Sequence, residues 1–318
     1  MAALSISPAQ LNKMLSSQLS KTQDKFNKLT AQITSGVKVS SMKDDAVAAK
    51  SIIKTDNELA DIATYKSNLS SAGIELSQTD STLASVNDQL QKVYDLAMTV
   101  SNGTAGATQI EAYKQELDSL IDNVKRLANT QYGDIYLFSG TRTTTPPYVE
   151  DSTGLAYGGD SGARNALIAD NKSEQINLIG EDVFGKALYT KDDETGYITV
   201  DSAASSGIFA SLYKMKEAMQ DTSNVNYDSI KEVMGSLKNG MDNKITASRT
   251  KVGVLGSSFE DMNTAYDNDV LNLTQLKSNL QDTDLPSAIS DWYSVYQSMQ
   301  ASYSMMSQTM DISLLNYI

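Results

Sequence analysis

The feature that most restricts the fold of this chain is a heptad run that keeps step from Ile62 to Val100. Ile62, Leu69, Leu76, Leu83, Leu90 and Ala97 stand seven residues apart, and Tyr65, Ala72, Thr79, Val86, Val93 and Val100 each follow by three. Consecutive a/d pairs of this kind predict one long helix packed lengthwise on other helices. Between residues 42 and 100 there is no proline and one glycine, Gly73. At 1.5 Å per residue such a helix is on the order of 80 Å long, so the expected domain is a rod and not a ball.

The two ends of the chain have a different character. At the C-terminal end Leu285, Ile289, Trp292, Tyr296, Met299, Tyr303, Met306 and Met310 alternate spacings of four and three, with Leu314 beyond them, while the face away from that seam carries Ser, Gln, Asn, Thr and Ala. From residue 285 onward only Asp291 and Asp311 are charged. At the N-terminal end Leu4, Leu11, Leu15 and Leu19 make a seam that Phe26, Leu29 and Ile33 continue, and the first 23 residues hold only Lys13 and Lys21 as charges. A helix that stays in water normally carries charge on its outer face. Uncharged polar groups desolvate far more cheaply than ions, so both ends are expected to be buried twice, on each other and on neighbouring molecules.

Between these ends the order is nearly palindromic. Gly36 interrupts the first seam, and Ser41 with Asp44 reads as a capping box for the long helix. Ser101–Gly106 is turn chemistry, Thr108 with Glu111 suggests a second box, and Ile110, Tyr113, Leu117, Leu120, Val124 and Leu127 form a return arm in which Asp122 and Arg126 are spaced for an i,i+4 pair. Around Asp134 the period changes, and glycines and Pro146–Pro147 punctuate short strand-like runs to about residue 205. A second long helix is expected from about Tyr227 to Leu280, with a restart at Pro286. The expected fold is mainly α with a small β-rich insert, an elongated antiparallel helical bundle or coiled coil formed by the N- and C-terminal arms. Its domains would be residues 1–40 with 282–318 as a terminal helical pair, 41–133 with 206–281 as a long-helix rod, and 134–205 as an outward insert.

Composition removes several functions. Cysteine and histidine are absent, which excludes thiol nucleophiles, disulfides, histidine acid-base chemistry and the common zinc sites. A net charge of -13 argues against nucleic acid or an anionic membrane as partner. No run approaches the roughly 18 apolar residues of a membrane span, and the first residues lack a secretory signal's basic and apolar regions. Export, if it occurs, is expected by another route.

Ile33-Thr34-Ser35-Gly36-Val37-Lys38-Val39-Ser40-Ser41-Met42-Lys43-Asp44-Asp45-Ala46 resembles the N-terminal signature of the flagellin superfamily. Leu90-Gln91-Lys92-Val93 through Leu96-Ala97 is similar to its next helix, with Lys92 where arginine is common, and Ile312–Ile318 to its C-terminal ending. Ala128 through Tyr136-Leu137-Phe138-Ser139-Gly140-Thr141 is similar to the hook-associated branch of that family, whose members join hook to filament, whereas residues 150–205 carry no signature. The resemblance implies a flagellin-like layered rod and a structural subunit exported unfolded through the flagellar type III apparatus. It implies as partners other copies in a ring, hook-side and filament-side proteins, and an export chaperone, with the terminal helices inside and the insert outward. Filament-forming flagellin is the alternative within the family.

Catalytic readings are weak. Ser40–Lys43 and Ser248–Lys251 match S-x-x-K without its companion motifs. Asp192-Asp193-Glu194-Thr195-Gly196 lacks the register of a calcium loop and reads as a solvated acidic turn. The insert's carboxylates offer a hydrolase many candidates and fix no pair. No catalytic, cofactor-binding or metal residue is assigned. The assembly residues expected are Leu4, Leu11, Leu15, Leu19, Phe26, Leu29, Ile33, Leu285, Ile289, Trp292, Tyr296, Met299, Tyr303, Met306, Met310 and Leu314.

Overall fold

The computed structural model describes residues 8–315, with side chains from 10 to 308. The helices are α1 (Pro8–Ser35), α2 (Ala46–Ser101), α3 (Ala107–Ala128), α4 (Gly180–Phe184), α5 (Gly207–Ala218), α6 (Tyr227–Gly240), α7 (Ala247–Gln281) and α8 (Leu285–Leu315), and a π-helical segment, Met241–Thr246, runs between α6 and α7. The strands are β1 (Gln131–Tyr132), β2 (Ile135–Tyr136), β3 (Tyr148–Asp151), β4 (Gly154–Tyr157), β5 (Asn165–Ala169), β6 (Lys172–Gln175), β7 (Ala187–Lys191) and β8 (Ile198–Val200). The chain is thus mainly helical with a small β-rich insert, as its periodicity predicts. The described residues up to Asp61 and from Asn268 onward form one compact unit, and Ile62–Asp267 form a second.

In the second unit the heptad run of α2 is the core. Leu69, Leu76, Leu83, Leu90 and Ala97 are buried, and so are Ala72, Thr79, Val86, Val93 and Val100. They meet Leu117, Ile121 and Val124 of α3 and, from the other chain direction, Leu237, Ile245, Val252 and Phe259. The π-helical segment shifts the phase of the second arm, so that Ile245, Val252 and Phe259 then repeat every seven residues. The insert is three antiparallel pieces: a four-stranded sheet in the order β3-β4-β7-β8 and the hairpins β1-β2 and β5-β6. Phe138, Tyr148, Phe184 and Phe209 cluster beneath it, with Phe138 and Phe184 edge to face at 5.0 Å.

The β5-β6 hairpin is fastened to the long helices. Asn68 donates to the Leu167 carbonyl at 2.8 Å, the Tyr266 hydroxyl donates to the Ile168 carbonyl at 2.6 Å, and Arg164 forms a two-pronged ion pair with Glu75. A second network holds the sheet to α3 and α5. Glu150 accepts from Lys125 at 2.8 Å, from Tyr213 at 2.7 Å and from Tyr189 at 2.9 Å. Burial alone would push this carboxyl up, but those three donors outweigh it and hold it below its ordinary value.

Three expected local devices differ in detail. The cap of α2 is Asp45, whose carboxylate accepts from the amides of Val47 and Ala48. Asp44 instead ties the preceding turn, accepting from the amides and hydroxyls of Ser40 and Ser41 and pairing with Lys28 at 3.0 Å. Lys28 and then Ser40 hold its carboxyl well below the usual carboxylate range. At α3 the box is closed by Gln109, which accepts from the Gly106 amide at 3.1 Å, so Thr108 and Glu111 lie two residues too late. Asp122 pairs with Lys125 at 2.9 Å, while Arg126 turns to Asn123.

Candidate assembly surface

In the first unit, α1 ends where Gly36 takes a left-handed conformation (φ +74) that L side chains rarely adopt. The following strand-like residues meet the α7–α8 break. Lys38 donates its amide to the Gln281 carbonyl at 2.7 Å and Thr283 to the Gly36 carbonyl at 2.8 Å. This brace sets the end of α1 beside the start of α8. They then run antiparallel: Thr30 receives the Trp292 indole N–H at 2.9 Å, Phe26 packs on Trp292 and Tyr296, and Gln23 receives the Tyr303 hydroxyl at 3.2 Å.

On α1 the seam runs as its spacing predicts. Leu11, Leu15, Leu19, Phe26 and Ile33 are half-buried and Leu29 is buried, with Thr22 filling the missing step. On α8 the seam is rotated from the expected one. Ala288 and Val295 are each only 7% exposed, and Trp292, Met299, Ser302 and Met306 continue that line at half-burial. Leu285, Ile289, Tyr296 and Tyr303, expected in the seam, are exposed instead. The cause is the width of the apolar arc. α8 has large apolar or aromatic groups on more than one stripe, and α1, a single partner, covers only the part centred on the small residue Ala288 and on Val295. Leu4 lies outside the described residues, and the side chains of Met310 and Leu314 lie outside the described ones.

The uncovered part is continuous. Leu285, Ile289, Tyr293, Tyr296 and Tyr303 follow one another along α8, and Tyr293 is 59% exposed. Beside them a shallow groove of about 280 Å³ is lined by Thr30, Ile33, Thr34, Ile289, Trp292 and Tyr293, with no charged group. Trp292 and Tyr296 stack face to face at 5.5 Å, which stiffens this surface. Sequence reasoning missed Ala288, Tyr293 and Val295. Alanine carries little hydrophobic signal and Tyr293 falls between the heptad positions, so spacing alone did not mark them.

Such a surface can bury apolar area and exchange neutral hydrogen bonds; it offers no reacting group. Ser40, of the first S-x-x-K match, donates its hydroxyl to Asp44. Asp192 spends its carboxylate on its own turn, accepting from the Glu194 and Thr195 amides. Among the described residues no group of three or more acidic side chains is placed to hold a metal, and no helix is long and apolar enough to cross a membrane.

Residues 6–143 match the bacterial flagellin N-terminal helical region, and residues 238–318 match the bacterial flagellin C-terminal helical region. Over 305 residues the chain is 25% identical to flagellar hook-associated protein 3 of Escherichia coli (strain K12), covering 93% of this chain and 94% of that protein. It is 23% identical over 274 residues to flagellin of Salmonella enteritidis, covering 80% of this chain and 54% of the flagellin. The solved structure of a putative flagellar hook-associated protein from Vibrio parahaemolyticus shares the fold, with a TM-score of 0.63 at 20% identity over 75% of this chain and 100% of that one. The two matched regions span well over half of the chain and contain both α1 and α8, and the chain therefore belongs to the bacterial flagellin family.

Proposed function

We propose that this chain, a structural subunit of the bacterial flagellum and not an enzyme, joins hook to filament. The observation that carries the reading is the uncovered, nearly ion-free stripe of α8 beside α1. Buried against neighbours, a stripe of this kind supplies apolar area without the cost of desolvating ions. The occupants are other copies in a ring, with hook-side and filament-side proteins above and below. All of Leu11, Leu15, Leu19, Phe26, Leu29, Ile33, Leu285, Ile289, Trp292, Tyr296, Met299, Tyr303 and Met306 belong to this device, some by holding the pair together and the rest by facing neighbours. Leu4, Met310 and Leu314 extend it. Before assembly the same stripe needs cover, so an export chaperone on the C-terminal helix follows, with passage of the unfolded chain through the flagellar type III apparatus.

The correspondence in length favours a junction subunit over a filament subunit, since this chain spans 94% of the Escherichia coli hook-associated protein and 54% of the Salmonella enteritidis flagellin. Cells lacking the gene should carry bare hooks and shed flagellin into the medium. Purified protein should add to those hooks, and a version ending before residue 285 should not; assembly of the shortened chain would overturn the reading. Growth of the pure protein into long filaments would decide for a filament flagellin.

A further inference from the structure

Lys214 of α5 and Lys244 of the π-helical segment line one trough of about 420 Å³ between α5 and the end of α6, with Ser206, Ser236 and Asn243 among its walls and no carboxylate. Lys216, two residues along the same helix, is paired with Asp118 at 2.8 Å. Among the described residues neither Lys214 nor Lys244 has an ion-pair partner. In a chain of net charge -13, two ammonium groups lining a hydroxyl-rich trough without a counter-ion form a site for carboxylate.

The same unit carries a matching group. Asp192 accepts from the Glu194 amide at 3.1 Å and from the Thr195 amide and hydroxyl at 2.7 Å, and Gly196 (φ +72) returns its amide to the Asp192 carbonyl at 2.9 Å. This turn leaves Asp193 and Glu194 as adjacent, exposed carboxylates at its tip, and among the described residues neither is paired. Tip and trough do not meet within one chain.

The geometry points to a contact between two copies of this chain, in which the Asp193–Glu194 tip of one enters the Lys214–Lys244 trough of the next. The inference rests on the junction reading and adds to it a second contact, outside the terminal helices. A tip and a trough on every copy make a head-to-tail interface, which closes into a ring when the rotation allows. Exposed ion pairs add little affinity but suppress wrong registers, so this contact sets how neighbours align while the terminal helices supply strength.

The chain contains no cysteine, so Glu194→Cys with Lys244→Cys installs the only thiols. Flagella from cells making this variant, treated with a mild copper oxidant, should yield a ladder of covalently linked copies. Only monomer, on cells that bear filaments, overturns the inference and leaves the junction reading standing. Lys214→Glu with Lys244→Glu should loosen filaments to shear several-fold, and adding Asp193→Lys and Glu194→Lys should restore them. A reversal without effect, or a combined variant as defective as the first, also overturns it. So does acetylation of both lysines at equal rates in monomer and in flagella, slowed equally in both by inorganic phosphate, which assigns the trough to a free anion.

Discussion

Replacing Ile289 and Tyr293 together by glutamine should separate folding from assembly. Tyr293 is 59% exposed and Ile289 42%. An aromatic side chain has about 150–250 Å² to bury, so Tyr293 has about 120 Å² left for a neighbour, and Ile289 adds roughly half as much. At about 25 cal/mol per Å² the pair is worth up to about 4 kcal/mol per subunit, an upper bound. Every 1.4 kcal/mol or so is tenfold, and even half of that bound raises the concentration needed for addition to hooks by more than about tenfold. Within the monomer glutamine is a good helix former, but Ile289 is more than half covered and Tyr293 lies edge-on to Trp292, so unfolding should move by about 1 kcal/mol, less than assembly is weakened. The assays are urea unfolding of the purified protein and sedimentation of labelled protein with hooks from cells lacking the gene. Normal addition to hooks, or a monomer destabilised as much as assembly is weakened, would refute the reasoning.

Three further outcomes follow from the second unit. Arg164→Met strands Glu75, whose side chain is 8% exposed, and should cost about 3–5 kcal/mol by urea unfolding, while Glu75→Leu with Arg164→Met should recover most of it. Burial holds Tyr148, Tyr157, Tyr189 and Tyr213 protonated above their ordinary 10.0, Tyr157 being pushed up to about 12. Since the unfolded chain ionises first, stability should be complete below pH 10 and fall above it, and Tyr157→Phe should make that fall less steep between pH 10 and 12, the other three tyrosines still contributing. Gly185 sits at φ +72 with the Ser206 carbonyl where a Cβ would go, so Gly185→Ala should lower the melting temperature, with about 1–2 kcal/mol from the backbone and about 1–3 kcal/mol from crowding.

The long helices were legible because their periodicity is strict. Each a position of α2 from Leu69 to Ala97 is buried where the heptad puts it, since a narrow apolar stripe has only one way to face a partner. α8 was legible as a helix and not in its orientation. With Leu285, Ala288, Ile289, Trp292, Tyr293, Val295 and Tyr296 all able to face a partner, spacing alone does not say which line the α1 contact takes. The π-helical segment was invisible because no local spacing in Met241–Thr246 separates a π turn from an α turn; just before it, Ile208 lies close to Gly240, leaving no room for a side chain there. In the insert the strands were foreseeable from glycine and proline punctuation, but the clamp of β5 onto α2 depends on the distant pair Arg164 and Glu75. No local pattern joins two residues so far apart in the chain.

The central claim is that the stripe uncovered on α8 is covered in the flagellum. In this cysteine-free chain, Tyr293→Cys gives a single thiol whose reaction with a maleimide can be timed in purified protein and in intact flagella. Rapid labelling of the free subunit and strong protection in the flagellum is the expected result. Equal rates in both would mean that the stripe still faces solvent after assembly, and would contradict the account.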